Sequence, residues 1–332
     1  MAAGSPDVGT HGKVSWLIGT AMPLDPLAKR FLAMMAAASP GERNRPTTSE
    51  RRLSLAKLMQ FSRAEAADVT TEDGTLPGPA GDIAYRLYAP TGIDTPLPGF
   101  VFFHGGGMVA GSIQTHDRVA AALAQATSCR LLSIDYRLAP EHKFPAAVED
   151  AIAATKFVAR HAASLGIDAE RLVVGGDSAG GTLAAVVCQH AQHDSGPRIL
   201  AQCLICPVLD FEEISPSREA FADDNLIGRA TLEADLADYL PDGADTADTR
   251  ISPLRALNVK GLPTAIIHTA EFDPMRDEGN AYARKLLAAG VAVEHVCHDG
   301  MIHNFHAMGA VLPQARLVLS QIGEQVRRAV GA

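Results

Sequence analysis

Residues 176–180 read Gly176-Asp177-Ser178-Ala179-Gly180, a serine with a glycine two positions to either side. A serine hydroxyl is a weak nucleophile near neutral pH and becomes useful when a base can take its proton. The context makes this serine a candidate. An apolar run, Arg171 to Gly175, leads into it, and small and apolar residues lead out from Gly180 to about His193. A strand entering and a helix leaving put Ser178 on a sharp turn at the carboxyl edge of a sheet. The helix N-terminus brings N–H donors and a positive field to the same place. A Cβ at either flanking glycine would crowd that turn, and small Gly181 and Ala184 let the helix approach the sheet closely. An ordinary N-cap serine at a glycine-rich helix start would use the same residues, so the rest of the chain must decide.

A second glycine-rich stretch, His104-Gly105-Gly106-Gly107, follows the apolar run Val101 to Phe103. Bare backbone with freedom in φ can turn its N–H groups inward. Acyl transfer builds negative charge on a carbonyl oxygen, and donors arranged in advance stabilise that charge in the transition state. The N–H groups of Gly106, Gly107 and Ala179 are the expected donors, with His104, Gly105 and Asp177 supporting the loops. A phosphate-cradling loop is the rival, but the stretch lacks both the Lys-Ser/Thr ending of a P-loop and the GxGxxG spacing of a dinucleotide fold.

Histidine is the natural base near neutral pH. The chain has 12 histidines, so composition does not choose among them. His303, in Asp299-Gly300-Met301-Ile302-His303-Asn304-Phe305, falls after the last expected strand and before the last helix. That places it on a loop at the same sheet edge as Ser178. His298 and His306 are its neighbours and competitors, read as core-satisfying or surface residues. His190 and His193 fall on a helix and read as solvated. The base needs an acceptor to hold its tautomer and stabilise imidazolium. Asp273 follows another apolar run and meets that need, with Glu271 and Asp277 as alternates. The order Ser, Asp, His is that of an α/β sheet hydrolase. No HExxH or matching carboxylate spacing suggests a metal, and no organic cofactor is expected.

These groups must be positioned by a frame, and the frame shows in the hydrophobic pattern. Strands are expected at Asp82 to Tyr88, Gly99 to His104, Arg130 to Tyr136, Arg171 to Gly175, Gln202 to Pro207, Pro263 to Thr269 and Val291 to Cys297. Helices are expected at Asp25 to Ala38, Ser54 to Ala67, His116 to Thr127, Pro145 to Leu165, Gly180 to His193, Arg276 to Ala289 and Leu312 to Ala329. Nearly all-apolar strands alternating with helices mean an α/β fold whose mostly parallel central sheet is flanked by helices. Phe211 to Arg255 interrupts the alternation with a long polar stretch, helical around Leu232 to Leu240, which suits a lid.

The 332 residues carry a net charge of −9, with 47% hydrophobic and 20% charged residues. That excludes a disordered or fibrous chain and argues against non-specific binding to nucleic acid or an anionic membrane. Met1 to Leu17 has no basic segment followed by an unbroken apolar one, and no stretch has the length and apolarity of a membrane span, so a cytoplasmic protein is expected. Five cysteines read as reduced thiols, and the lone Cys203/Cys206 CxxC reads as part of a buried strand.

Five motifs together resemble the hormone-sensitive-lipase-like branch of the α/β-hydrolases, the bacterial family IV esterases. They are His104 to Gly107, Asp135 to His142 (DYRLAPEH) with Phe144 to Ala147, Gly176 to Gly180, Asp273 to Gly279 (DPMRDEG), and His303-Asn304-Phe305. The resemblance implies Ser178 as nucleophile, Asp273 as acid, His303 as base, and an oxyanion hole of Gly106, Gly107 and Ala179. It also implies a helical cap built from the N-terminus and from an insertion between the sixth and seventh strands. The expected division is 1–50 and 211–255 for the cap, and 51–210 and 256–332 for the core. In the DYRLAPEH block, Arg137 and Glu141 could pair and brace the site, and the block reads as structural rather than chemical.

The implied function is hydrolysis of short- to medium-chain carboxylic esters, with a small-molecule ester as partner and a homodimer possible by analogy with family members. An amidase, lactonase or deacetylase would use the same triad. A non-catalytic binding protein on the same fold is a further alternative; the plant gibberellin receptors resemble this family but lack the histidine base, which His303 supplies here.

Overall fold

The computed structural model describes residues 14–15, 23–38, 46–62, 68–93, 95–194, 196–222 and 226–332. Nine strands among them form one sheet. In chain order they are β1 (Val14–Ser15), β2 (Val69–Gly78), β3 (Gly81–Pro90), β4 (Leu97–Phe103), β5 (Arg130–Ile134), β6 (Ile167–Asp177), β7 (Ile199–Ile205), β8 (Thr264–Phe272) and β9 (Val293–Ile302). The spatial order is β1-β9-β8-β7-β6-β4-β5-β3-β2. From β5 through β4 to β9 and β1 all pairs are parallel, while β2 and β3 join as an antiparallel edge.

The helices are α1 (Pro26–Ala38), α2 (Thr48–Met59), α3 (Ile113–Thr127), α4 (Ala146–Arg160), α5 (Ala179–His193), α6 (Pro216–Ala220), α7 (Arg229–Tyr239), α8 (Arg276–Ala288) and α9 (Gln314–Val330). Strand β4 shows why its sequence is almost purely apolar. Val101 and Phe103 face a core layer with residues of α4, α5 and α8, while Phe100 and Phe102 face the opposite layer with α3 and α9. All four are fully buried. A strand covered on both faces has no position where a polar side chain can reach water. Each such phenylalanine contributes about 1.5–3 kcal/mol by leaving water.

Several elements differ from the sequence expectation. Strand β2 was not expected: it is an edge strand with only Leu76 buried, so its Thr, Glu and Asp positions show no apolar alternation. Helix α2 begins at Thr48 rather than Ser54, because Thr47 and Glu50 form a capping box in which each side chain accepts from the other's backbone N–H. It ends at Met59, and residues 63–67 of the expected helix lie outside the described residues, as do most of Met1 to Leu17 and residues 39–45 behind α1. Helix α4 stops at Arg160, short of Leu165, and the chain turns so that Ile167 N–H reaches Ala162 O at 2.7 Å and opens β6. Strand β9 continues beyond Cys297 to Ile302, which delivers His303 directly past its end.

Helices α1 and α2 from the N-terminal region, and α6 and α7 from the segment between β7 and β8, form a helical cap over the carboxyl edge of the sheet. Among the described residues no helix is long and apolar enough to cross a membrane.

Candidate active site

Strand β6 ends at Asp177 and α5 begins at Ala179, so Ser178 alone makes the turn, at φ 51° and ψ −118°. That conformation is costly for a residue with a Cβ and persists only when the surroundings enforce it. Here Ser178 N–H donates to Ile205 O at 2.9 Å, and Val208 N–H donates to Ser178 O at 3.3 Å, which ties the turn to the end of β7. A Cβ on Gly180 would run into Phe103 O, so α5 lies directly against the end of β4.

Asp273 follows β8 and His303 follows β9, and their parallel neighbours bring the two together. His303 Nδ1 donates to Asp273 Oδ2 at 2.8 Å, and both side chains are fully buried. Asp273 Oδ1 accepts from Met275 N–H at 2.8 Å, which fixes the carboxylate. With Nδ1 engaged, Nε2 of His303 is left as the acceptor nitrogen, buried and without a hydrogen-bond partner among the described residues. Burial acts to lower the imidazole's pKa, but the charge and hydrogen bond of Asp273 outweigh it, and the pKa stands above its ordinary 6.5. The Cys206 thiol lies beneath this pair: its Sγ and ligand atoms of Asp273 and His303 are all within 4.8 Å of one another. Because Ser178 is bonded to Ile205, the next residue of the chain thus links the serine turn to the imidazole–carboxylate pair.

The alternates are occupied elsewhere. Glu271 accepts from Gly300 N–H at 2.8 Å, and Asp277 accepts from Ser217 N–H at 2.9 Å. His298 Nε2 shares a proton with His268 Nδ1 at 2.8 Å, and His268 continues to Gln325 at 2.7 Å, a chain inside the core. His190 is half-buried beside Asp194, on the far end of α5.

In the glycine loop, Gly106 and Gly107 have φ of 122° and 65°, conformations in which an L side chain is strained. Gly106 O accepts from both Val109 and Ala110 N–H, which folds the loop into a tight turn. Gly105 N–H donates to Asp177 Oδ1 at 3.0 Å, joining this loop to the residue before Ser178. Burial raises the pKa of Asp177, but His116, His306 and His104 together pull it well below the usual carboxylate range. His116 Nε2 is 3.6 Å away and His306 Nε2 3.9 Å. His104 is fully buried, with Nδ1 at 2.8 Å from Gly105 O and its ring stacked on Tyr136 at 4.4 Å. Burial, aided by His116, lowers its pKa to about 3, so it is neutral at physiological pH. His116 was not singled out in the sequence. It lies in the first turn of α3, and nothing local marks it.

Ser178, Ala179, Gly106 and Gly107 line a cavity of about 460 Å³ together with residues of α2 and α7. Arg137 and Glu141 do not pair. Arg137 turns to α4 and binds Asp150 at 2.8 Å, while Glu141 is held by Arg52 of α2 at 2.6 Å. Arg52 also donates to Val109 O and Ala139 O, so the DYRLAPEH turn is an anchor for the cap helix. The five cysteines are free thiols, with Cys203 on β7 and Cys206 just past its end.

A mostly parallel sheet with a strained serine at a strand-to-helix turn, and a buried His–Asp pair tied to that turn through Ile205 and Cys206, defines a class of fold and site. A family model described as alpha/beta hydrolase fold matches residues 100–307. The chain is 44% identical over 245 residues to the carboxylic ester hydrolase LipN of Mycobacterium tuberculosis, covering 72% of this chain and 64% of LipN. To the carboxylesterase NlhH of the same organism it is 42% identical over 239 residues, covering 70% and 74%. An ester hydrolase from the metagenome of Lake Arreo, solved with a derivative of bipyridine phosphonate, superposes with a TM-score of 0.89 at 38% identity, covering 93% of this chain and all (100%) of that one. The chain belongs to the α/β-hydrolase fold family. Within that family it falls in the hormone-sensitive-lipase-like, family IV branch of esterases. It spans under two thirds of the length of LipN.

Proposed function

We infer that the protein hydrolyses carboxylic esters with short or medium acyl groups through an acyl-enzyme on Ser178. The observation that carries this reading is the buried His303–Asp273 pair, its Nε2 without a hydrogen-bond partner among the described residues, tied through Cys206 and Ile205 to the strained Ser178 turn. In the proposed reaction His303 Nε2 takes the Ser178 proton as Oγ attacks the ester carbonyl. The N–H groups of Gly106, Gly107 and Ala179 receive the oxyanion. Asp273 stabilises the imidazolium, which then protonates the leaving alcohol. Water, deprotonated by the same imidazole, attacks the acyl-enzyme and frees the acid and Ser178. His104, Gly105 and Asp177 hold the glycine loop against the serine turn.

In this reading the cap comprises the N-terminal segment, extended through α2, and the 211–255 insertion, and it shapes the pockets for acyl group and alcohol. Leu55, Leu58, Leu232 and Leu236 supply a largely apolar wall that fits the hydrocarbon part of an acyl group or alcohol, and a cavity of about 460 Å³ is of the size that takes a small molecule. The free thiols suit a reducing compartment.

The test is a series of p-nitrophenyl esters with acyl chains of increasing length, assayed with the wild-type protein and with Ser178→Ala. Turnover that peaks at short or medium chains and vanishes in the variant supports the reading. Turnover unchanged in the variant overturns the assigned nucleophile, and the absence of turnover on any ester overturns the activity.

A further inference from the structure

The cap carries a carboxyl group into the substrate cavity. Asp235, on α7, lines the cavity together with Ser178 and Gly107. A Cβ on Gly107 would collide with Asp235 Oδ2, so the carboxyl stands directly over the α-carbon of a residue in the glycine loop. Oδ1 faces Arg51 Nε at 3.0 Å, and the Asp235 side chain is only 16% exposed. Arg51 is itself buried and also binds Asp238, so its charge is shared between two carboxylates.

This arrangement is expensive. A carboxyl group in a mainly apolar cavity costs free energy, and an arginine shared with a second carboxylate offsets only part of it. An ionised carboxylate beside the expected oxyanion would also oppose the charge that develops there. Burial, opposed by Arg51, pushes the Asp235 carboxyl up to about 7, which eases that conflict. A leucine at this position would serve a plain hydrocarbon chain without either cost.

We propose that Asp235 recognises a hydroxyl group on the substrate, so that the site selects hydroxylated short-chain esters over their plain hydrocarbon counterparts. The lining carries both signs, Arg51, Arg218 and Arg229 with Glu212, Glu233 and Asp235, so it presents no single-sign field that would select an ion. A hydroxyl donates to the ionised carboxylate and accepts from the protonated one, so it pairs with Asp235 in either state. The proposal rests on the esterase reading and names the substrate class of that same site.

The test compares kcat/KM within matched pairs. The acyl arm uses p-nitrophenyl butyrate and p-nitrophenyl 3-hydroxybutyrate, and the alcohol arm ethyl butyrate and 2-hydroxyethyl butyrate. The wild-type protein is expected to prefer the hydroxylated member of at least one pair by about 10- to 100-fold, as for a hydrogen bond to a charged group. Asp235→Leu should bring that ratio to about one, and Asp235→Asn should lower it severalfold while keeping the shape of the side chain. Because the readout is a ratio inside each variant, a loss of folded protein cancels. If Asp235→Leu does not fold, the Asn variant decides, and an unchanged ratio there overturns the proposal. A wild-type ratio near one in both arms, with butyrate hydrolysis still dependent on Ser178, overturns the selectivity and leaves the esterase standing. No hydrolysis of any of the four esters overturns both.

Discussion

His303 Nδ1 and Asp273 Oδ2 lie 2.8 Å apart with neither side chain reaching solvent. The two come from the ends of neighbouring parallel strands, β8 and β9, so the sheet itself sets their spacing. The carboxylate raises the imidazole's pKa above 6.5 against the opposing effect of burial. A general base works only when neutral. The profile of kcat/KM against pH should therefore rise with pH, with its acid limb centred above 6.5. The stability sign runs the other way: a raised histidine pKa contributes stability that is complete below 6.5 and is lost as pH climbs through the folded-state value. An acid limb centred below 6.5 would contradict the pairing as the source of the shift.

Ser178 holds φ 51° and ψ −118°, a conformation that glycine adopts freely. Ser178→Gly should lower ester turnover by roughly 10⁴-fold or more. The same change should stabilise the fold by about 1 kcal/mol, because the strain at this turn is relieved. Steady-state kinetics and denaturant unfolding check the two halves separately. A less stable Gly variant would show that the turn is not strained.

Gly106 sits at φ 122°, and a Cβ there would meet Ala110 O. Gly106→Ala must therefore move the loop that is expected to carry two of three oxyanion donors. Loss of one such donor costs about 10²- to 10³-fold in kcat. The fall should appear in kcat far more than in KM, since the donors act on charge that develops only in the transition state. An equal loss carried by KM alone would assign the loop to substrate binding instead.

Cys206 lies against the imidazole–carboxylate pair, yet it is buried, and burial together with Asp273 raises its thiol pKa well above the ordinary value. A thiol that does not ionise is a poor nucleophile. Iodoacetamide applied to the native protein at neutral pH should leave esterase activity intact, while a serine-directed organophosphate should remove it. Rapid inactivation by iodoacetamide, prevented by a substrate analogue, would point to a cysteine in the chemistry.

The α/β alternation, the serine turn and the glycine loop were legible because each is written in local pattern. An apolar run followed by glycines, or by a small-residue helix, states its own geometry over a dozen residues. Strand β2 was not legible, since an edge strand exposed to water needs no apolar alternation. The start of α2 was present as Thr47 and Glu50 at capping-box spacing, but its weakly amphipathic continuation hid it. The expected Arg137–Glu141 pair failed for a different reason. Proximity in sequence favoured it, whereas packing offered Arg137 the buried Asp150 on α4 and gave Glu141 to Arg52 of the cap.

By itself the sequence determined the layered sheet, the turn that carries Ser178 and the loop rich in backbone donors, because those depend on hydrophobic period and on where a Cβ can fit. Only the tertiary structure decided that His303 meets Asp273 while His298 joins a core chain with His268, that His116 faces Asp177, and that Asp235 descends from α7 onto Gly107. Those meetings join residues far apart in the chain. They are set by strand order, by the length of β9 and by how the cap packs on the sheet, none of which is encoded in the spacing of the residues that meet.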